Sequence, residues 1–223
     1  MDRITDAFAW PVRDPDWVGK IAVMGLILLI PIAGPITNLG WMLAALDRLR
    51  AGEERLPPAN FEPFGRGLRL FLVLLLYYLA LTALAAIVYV PSVLILSDQG
   101  ARQTTDALLV ALAVVLSLMA FGIFTLGSLV LTFATPAIIL AVDRGGMAAG
   151  LRVPEVVRQV RVSLTNTVVA GLMLIAASLI AQIGSVACVV GVVFTAAYAF
   201  AIQAWIVRSF ELGLAAPARP ATT

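Results

Sequence analysis

Histidine is absent from this 223-residue chain, cysteine occurs once, and only 13% of the residues are charged. Each shortage removes a class of chemistry. Zinc and haem sites need imidazole or several thiolates, and neither is available. The lone Cys188 has no partner for a disulfide within the chain; in its apolar stretch it reads as a small packing residue. Nucleophilic or general acid–base catalysis also lacks its usual parts, because no Cys or Ser has a base near it in sequence and no acidic pair lies in an apolar run. Gly145-Gly146 lacks the lysine and spacing of a phosphate-binding loop. No catalytic residue, cofactor site or metal ligand is therefore assigned, and the expectation is a protein that is not an enzyme. The net charge of +2 is too small to suggest a nucleic-acid partner.

What is present is apolar length. Hydrophobic residues make up 61% of the chain, and the mean hydropathy is +1.01. A soluble domain is about half apolar and about a quarter charged. The surplus exceeds what one core of this size can hide, so lipid must cover it. Several runs reach the roughly 18–20 residues that cross a hydrocarbon core as a helix. They are solid Leu, Ala and Val without the alternation of a β-barrel strand. The expected fold is all-α: a polytopic helical membrane protein with four full spans at 68–97, 104–142, 164–183 and 190–208. One membrane domain covers 1–214, followed by a flexible Ala/Pro/Thr tail at 215–223.

Residues 20–47 form a fifth apolar run that cannot be one straight helix. Pro31 and Pro35 lack the amide hydrogens a continuous helix uses, and Gly34 between them leaves helical geometry easily. The run reads as two half-helices, one starting near Pro15 with Asp14 as its N-cap, the other running from about Pro35 to Arg50. Thr37 and Asn38 stand near the second start. Either they cap the helix locally, or the free amides of Ile36, Thr37 and Asn38 hold an anion or a lipid headgroup. Together the halves make either a re-entrant pair or a kinked span. The hairpin is the favoured form, because it puts Lys20 and Arg13 on the side of the other arginines.

Charge placement sets the expected topology. Arginines gather in the loop after Asp47 and in the loop after Asp143, which assigns both loops and the C-terminus to the cytoplasmic side of a prokaryotic inner membrane. With the hairpin, the N-terminus joins them. Trp10 and Trp17, in an interfacial segment at 1–19, are expected at the headgroup layer, as are Arg48 and Arg144. Residues 150–163 form an amphipathic surface helix whose Arg158 and Arg161 reach towards anionic headgroups. Thr104 or Thr105 is expected to cap the span that follows. Small residues recur every four positions at Ala177, Ala181 and Ser185 and again at Gly191, Thr195 and Ala199, a spacing that lets helix backbones approach closely. A four-residue echo, Ala45-Leu46-Asp47-Arg48 and Ala141-Val142-Asp143-Arg144, closes two of the apolar runs.

The order of motifs resembles a family of multispan prokaryotic membrane proteins, domain of unknown function 4013. The resemblance is carried by Phe8-x-Trp10-Pro11, Asp14-Pro15-Asp16-Trp17, Ile30-Pro31-Ile32-x-Gly34-Pro35, Gly40, Gly52, Leu56-Pro57, Phe61, Phe64 and Gly67, then Ala187-Cys188-x-x-Gly191-x-x-Phe194 and Tyr198. Pro136 through Gly146, with the amphipathic helix after it, is similar to the membrane domain attached to some glycerophosphodiester phosphodiesterases; their soluble catalytic domain is not expected within these 223 residues, and no such activity is expected of them. Neither resemblance implies functional residues. The expected role is contact, as an accessory or scaffolding subunit beside other membrane proteins and anionic lipid. The alternative is a channel, permease component or lipid-handling protein built on the break at Pro31 to Pro35.

Overall fold

A computed structural model describes residues 2–102, 106–186 and 188–215. Its elements are all helical: α1 (Asp2–Ala9), a 3-10 turn (Trp10–Arg13), α2 (Trp17–Leu28), α3 (Ala33–Arg50), α4 (Phe64–Arg102), α5 (Ala107–Gly150), α6 (Val153–Val162), α7 (Leu164–Val186) and α8 (Cys188–Ala215). Four stretches are long and apolar enough to cross a membrane: Phe64–Ala101, Ala107–Gly150, Leu164–Gln182 and Val193–Ala215. The chain is therefore an all-α polytopic membrane protein. It divides into two compact units, Met1–Val73 with Thr132–Thr223, and Leu74–Leu131.

In the first unit α2 and α3 fold back on each other. At 12 residues α2 is only about 18 Å long, too short to span. Pro31 stops it, and the bonds Leu29 N–H to Leu26 O and Ile30 N–H to Ile27 O tighten its last turn. The reversal sits at Ile32, whose φ of 65° and ψ of −54° form a γ-turn closed by Ala33 N–H to Pro31 O at 2.7 Å. A β-branched residue in that region carries strain of about 1–3 kcal/mol. The packed return helix holds it in place. A Cβ on Gly34 would lie 2.4 Å from Ile27 O, so only glycine lets the two backbones meet there. Further along, the buried Asn38 donates through Nδ2 to Met24 O at 3.1 Å. The hairpin is the form adopted.

Three sequence expectations change here. Asp14 does not cap α2, which begins at Trp17; its carboxylate turns inward, 1% exposed, where an ammonium and two amides satisfy it better than a single cap bond would. Thr37 and Asn38 do not cap α3 either, because the helix already starts at Ala33 and both lie past its first turn, bonding back to Ala33 O and Gly34 O. The span expected at 104–142 runs a few residues further, to Gly146, whose φ of 72° and ψ of −170° are not helical and suit glycine, and a short helical segment follows to Gly150.

α8 is the axis of this unit, packed against α1, α2, α3 and α7. Its Ala197, Ala201 and Ala204 are fully buried, leaving room for neighbouring backbones. A Cβ on Gly25 of α2 would sit 2.5 Å from Val193 O. Trp10 is wholly buried, donates through Nε1 to Ala201 O at 3.2 Å and stacks on Trp205. It is a core side chain rather than an exposed one, because its N–H finds a partner inside. Trp17 stays half-buried, edge-on to Tyr198. α3 and the start of α4 meet through paired glycines: a Cβ on Gly67 would fall 1.9 Å from Ile36 O, and one on Gly40 would fall 2.1 Å from Pro63 O.

α7 and α8 pack as a hairpin along the small-residue stripes. Thr195 Oγ1 donates to Ala181 O at 3.0 Å and lies 2.9 Å from Gly191 O, while a Cβ on Gly184 would meet Thr195 at 2.1 Å. Ala177 and Ala199 are buried. The side chains of Ser185 and Cys188, and residues 216–223, lie outside the described residues.

The second unit is a pair of helical segments, the later part of α4 and the earlier part of α5. Ser117 Oγ donates to Ser92 Oγ at 3.0 Å, and Gly127 accommodates Leu81. Thr104 and Thr105 lie outside the described residues. Asp106 does the capping: its Oδ1 accepts from Leu108 N–H at 2.9 Å and Leu109 N–H at 3.4 Å.

Candidate functional site

The most polar construction among the described residues is an ionic clasp where α3, α4, α5 and α8 meet, all within the first unit. α3 ends at Arg50 because Gly52 adopts φ 81° and lets Glu53 N–H return to Arg48 O at 2.9 Å. That stop leaves Asp47 and Arg50 on the last turn. Arg66 lies on the first turn of α4, Asp143 and Arg144 near the bend of α5, and Arg208 and Glu211 one turn apart on α8.

Arg50 is the hub. Its Nη1 donates to Asp143 Oδ2 at 2.6 Å and Asp47 Oδ1 at 3.2 Å. Its Nε and Nη2 grip Glu211 at 3.0 and 3.1 Å, the fork geometry guanidinium favours. Arg66 bridges both aspartates, through Nη1 to Asp47 Oδ2 at 2.5 Å and Nη2 to Asp143 Oδ1 at 2.8 Å. Glu211 also accepts from Arg144 at 2.6 Å and Arg208 at 2.9 Å. Every oxygen of the three carboxylates thus has a guanidinium donor. The side chains of Asp143 and Glu211 are only 7% and 12% exposed. Burial alone would lower the Arg50 pKa, but the bonds to Glu211 and Asp143 outweigh it and raise the value, so the hub stays charged.

The two echo motifs meet here, though differently from their sequence pairing. Among the described residues neither Asp47 with Arg48 nor Asp143 with Arg144 forms an ion pair; both aspartates share Arg50 and Arg66. Arg48 faces Glu53 at 3.8 Å, and Arg144, expected at the interface, binds Glu211 while more than half exposed. Beside the clasp, Asp47, Arg48, Asn60, Glu62 and Arg66 line an open cleft of about 370 Å³. Sequence reasoning missed Glu211 and Arg66 as members. The signal available was Arg208 and Glu211, three apart at and just past the expected end of the last span.

A second polar knot holds the N-terminal segment to the loop after α3. Asp14 Oδ2 accepts from Lys20 Nζ and from Leu56 N–H, both at 2.7 Å, and Oδ1 accepts from Asp16 N–H at 2.9 Å. Burial alone would raise the Asp14 pKa; these bonds outweigh it and lower the value below 3.8. Arg13 bridges Glu54 at 2.6 Å and also pairs with Asp6. The N-terminal segment, the loop after α3 and the end of α8 therefore belong to one end of the first unit.

The break is not an open anion site. Gly34 N–H bonds Ile30 O at 2.8 Å and Ile36 N–H bonds Ile32 O at 3.3 Å, so those amides are already used. Pro31 is exposed, Pro35 half-buried, and Gly34, Thr37 and Asn38 are buried. No group of three or more His, Cys, Asp or Glu side chains among the described residues is arranged to hold a metal ion. Arg158 pairs with Glu155 at 2.5 Å on α6, and Arg161 is exposed.

Four apolar spans joined by these polar ends define a multi-pass helical membrane protein. Residues 23–210 match the family described as Protein of unknown function (DUF4013), and the chain belongs to that family. No curated protein and no solved structure matches it. Nothing found supports the similarity to glycerophosphodiester phosphodiesterase membrane domains.

Proposed function

We propose that the chain is a non-enzymatic accessory or scaffolding subunit of a membrane protein complex in a prokaryotic inner membrane. The observation that supports this reading best is the exposed apolar length of α4 and α5. Only 11% of the most apolar window of each is buried in the chain. Within the second unit, Thr82, Ala85, Ala86, Tyr89, Ser117, Ala120, Phe121 and Phe124 line an apolar groove of about 300 Å³. Small and aromatic side chains together suit a partner helix, because alanines allow close approach and the aromatics fill the gaps. The clasp complements this: its four guanidinium groups and three carboxylates are paired with one another and tie α3, α4, α5 and α8 together at one end of the first unit. By the arginine bias, the clasp end and both termini are cytoplasmic.

A photo-reactive residue at Phe121 in native membranes tests the reading. One protein adduct of defined mass, lost when Ala120→Trp fills the groove, is the expected result; lipid adducts alone contradict it. The alternative, a path through the break, is disfavoured by the occupied amides at Gly34 and Ile36. Flux through liposomes holding only this protein, abolished by Gly34→Leu, would favour it instead.

A further inference from the structure

We infer that α6 is an interfacial anchor whose outer face binds the phosphates of anionic phospholipid. The argument starts from its place in the chain. α6 ends at Val162 and α7, a membrane span, begins at Leu164, so a single residue separates them. Ser163, at φ −143° and ψ 73°, turns the corner. Thr167 fixes it by giving its N–H to Ser163 O at 2.9 Å and its hydroxyl to Val160 O at 3.1 Å. α6 therefore sits where a span leaves the hydrocarbon.

Its faces are arranged for that layer. Val156 is buried, and Gln159 and Val160, on the same side, are half-buried. The opposite side carries Pro154, Val157, Arg158, Arg161 and Val162 around an open cleft of about 350 Å³. A helix facing only water would not display Val157 and Val162 beside its arginines; both are exposed. Valines entering the acyl boundary while guanidinium groups reach back to phosphate is the arrangement of an interfacial helix. Charge agrees: Arg152, Arg158 and Arg161 face only Glu155 on this segment, and Arg152 and Arg161 make no ion pair among the described residues. The surface is complementary to a negative one. It needs no protein partner, so it stands apart from the scaffolding reading.

The full-length chain with Cys188→Ala and Val157→Cys, carrying a nitroxide, is placed in nanodiscs of phosphatidylcholine with or without phosphatidylglycerol. The expected signature is collision with oxygen rather than with a water-soluble nickel complex, and deeper burial when phosphatidylglycerol is present. Arg158→Gln with Arg161→Gln should remove that lipid dependence, with apparent affinity for phosphatidylglycerol falling on the order of fivefold per arginine. A nitroxide at Leu172, an exposed site on α7, should stay lipid-exposed in both variants and so reports intact insertion. A nickel-accessible Val157 site overturns the inference. So does shielding from both oxygen and nickel, which means a protein covers the face, or a depth indifferent to headgroup charge.

Discussion

Arg50 and Glu211 lie 161 positions apart and meet through two parallel hydrogen bonds, Nε to Oε2 at 3.0 Å and Nη2 to Oε1 at 3.1 Å. Through them the end of the α2–α3 hairpin is tied to the last helix. Arg50→Gln should therefore lower stability in detergent by about 3 kcal/mol, because Glu211 and Asp143 lose their main counter-ion while remaining mostly buried. Glu211→Gln should cost a similar amount. The double substitution should cost clearly less than the sum, since the two changes remove one shared interaction. Denaturant unfolding of the four proteins measures this; strict additivity would show that the pair is not coupled.

Asp14 links stability to pH. Its folded pKa lies below its ordinary 3.8, so its contribution is complete above that value and is lost as pH falls through the lower folded value. Unfolding of wild type and Asp14→Asn, compared from about pH 6 down to about pH 3, should show a gap of about 1–3 kcal/mol that narrows on acidification. A gap constant with pH would mean that folding does not shift the Asp14 pKa, and a gap that widens on acidification would mean that the carboxyl is neutral in the fold.

The glycine pair at the α3–α4 crossing should be intolerant. Gly67→Ala places a methyl 1.9 Å from Ile36 O and should forbid a monodisperse protein, whereas Gly65, with nothing within 4 Å, should accept alanine. At that helical site the change should add about 0.5–1 kcal/mol. Size-exclusion profiles and melting temperatures of the two variants give the comparison.

Asn38 tests the hairpin from inside. Its Nδ2 serves Met24 O and Gly34 O, and its Oδ1 is buried without a partner. Asn38→Asp should be worse than Asn38→Ala, since a carboxylate would face two carbonyl oxygens with no hydrogen to give. Equal melting temperatures for the two would remove Asn38 from the α2–α3 contact.

Much of the architecture was legible because it follows from local composition. The spans are continuous apolar runs, and Pro31, Gly34 and Pro35 announce a break without any tertiary information. The close approach of Thr195 to Ala181 has a local cause too, as four-residue spacing places small side chains on one face of each helix. The clasp was not. Arg66, Asp143 and Glu211 look like ordinary charges at the ends of spans, and nothing near them in sequence says that they meet. Trp10 shows the opposite failure: its neighbours Pro11, Arg13 and Asp14 suggest a surface, yet Ala201 supplies a carbonyl that draws the indole inward. Asp14 was misread similarly, because its partners Lys20 and Leu56 depend on the fold of a loop 42 positions away.

The account depends above all on α2 and α3 returning to the side they left while α4 crosses. Single cysteines at Thr5, Glu53 and Ala101 in a Cys188→Ala background, probed in intact cells with a thiol reagent that cannot cross the membrane, test this directly. Labelling at Ala101, with Thr5 and Glu53 both protected until the membrane is permeabilised, is the predicted result. Thr5 and Glu53 on opposite sides, or Glu53 and Ala101 on the same side, would contradict it.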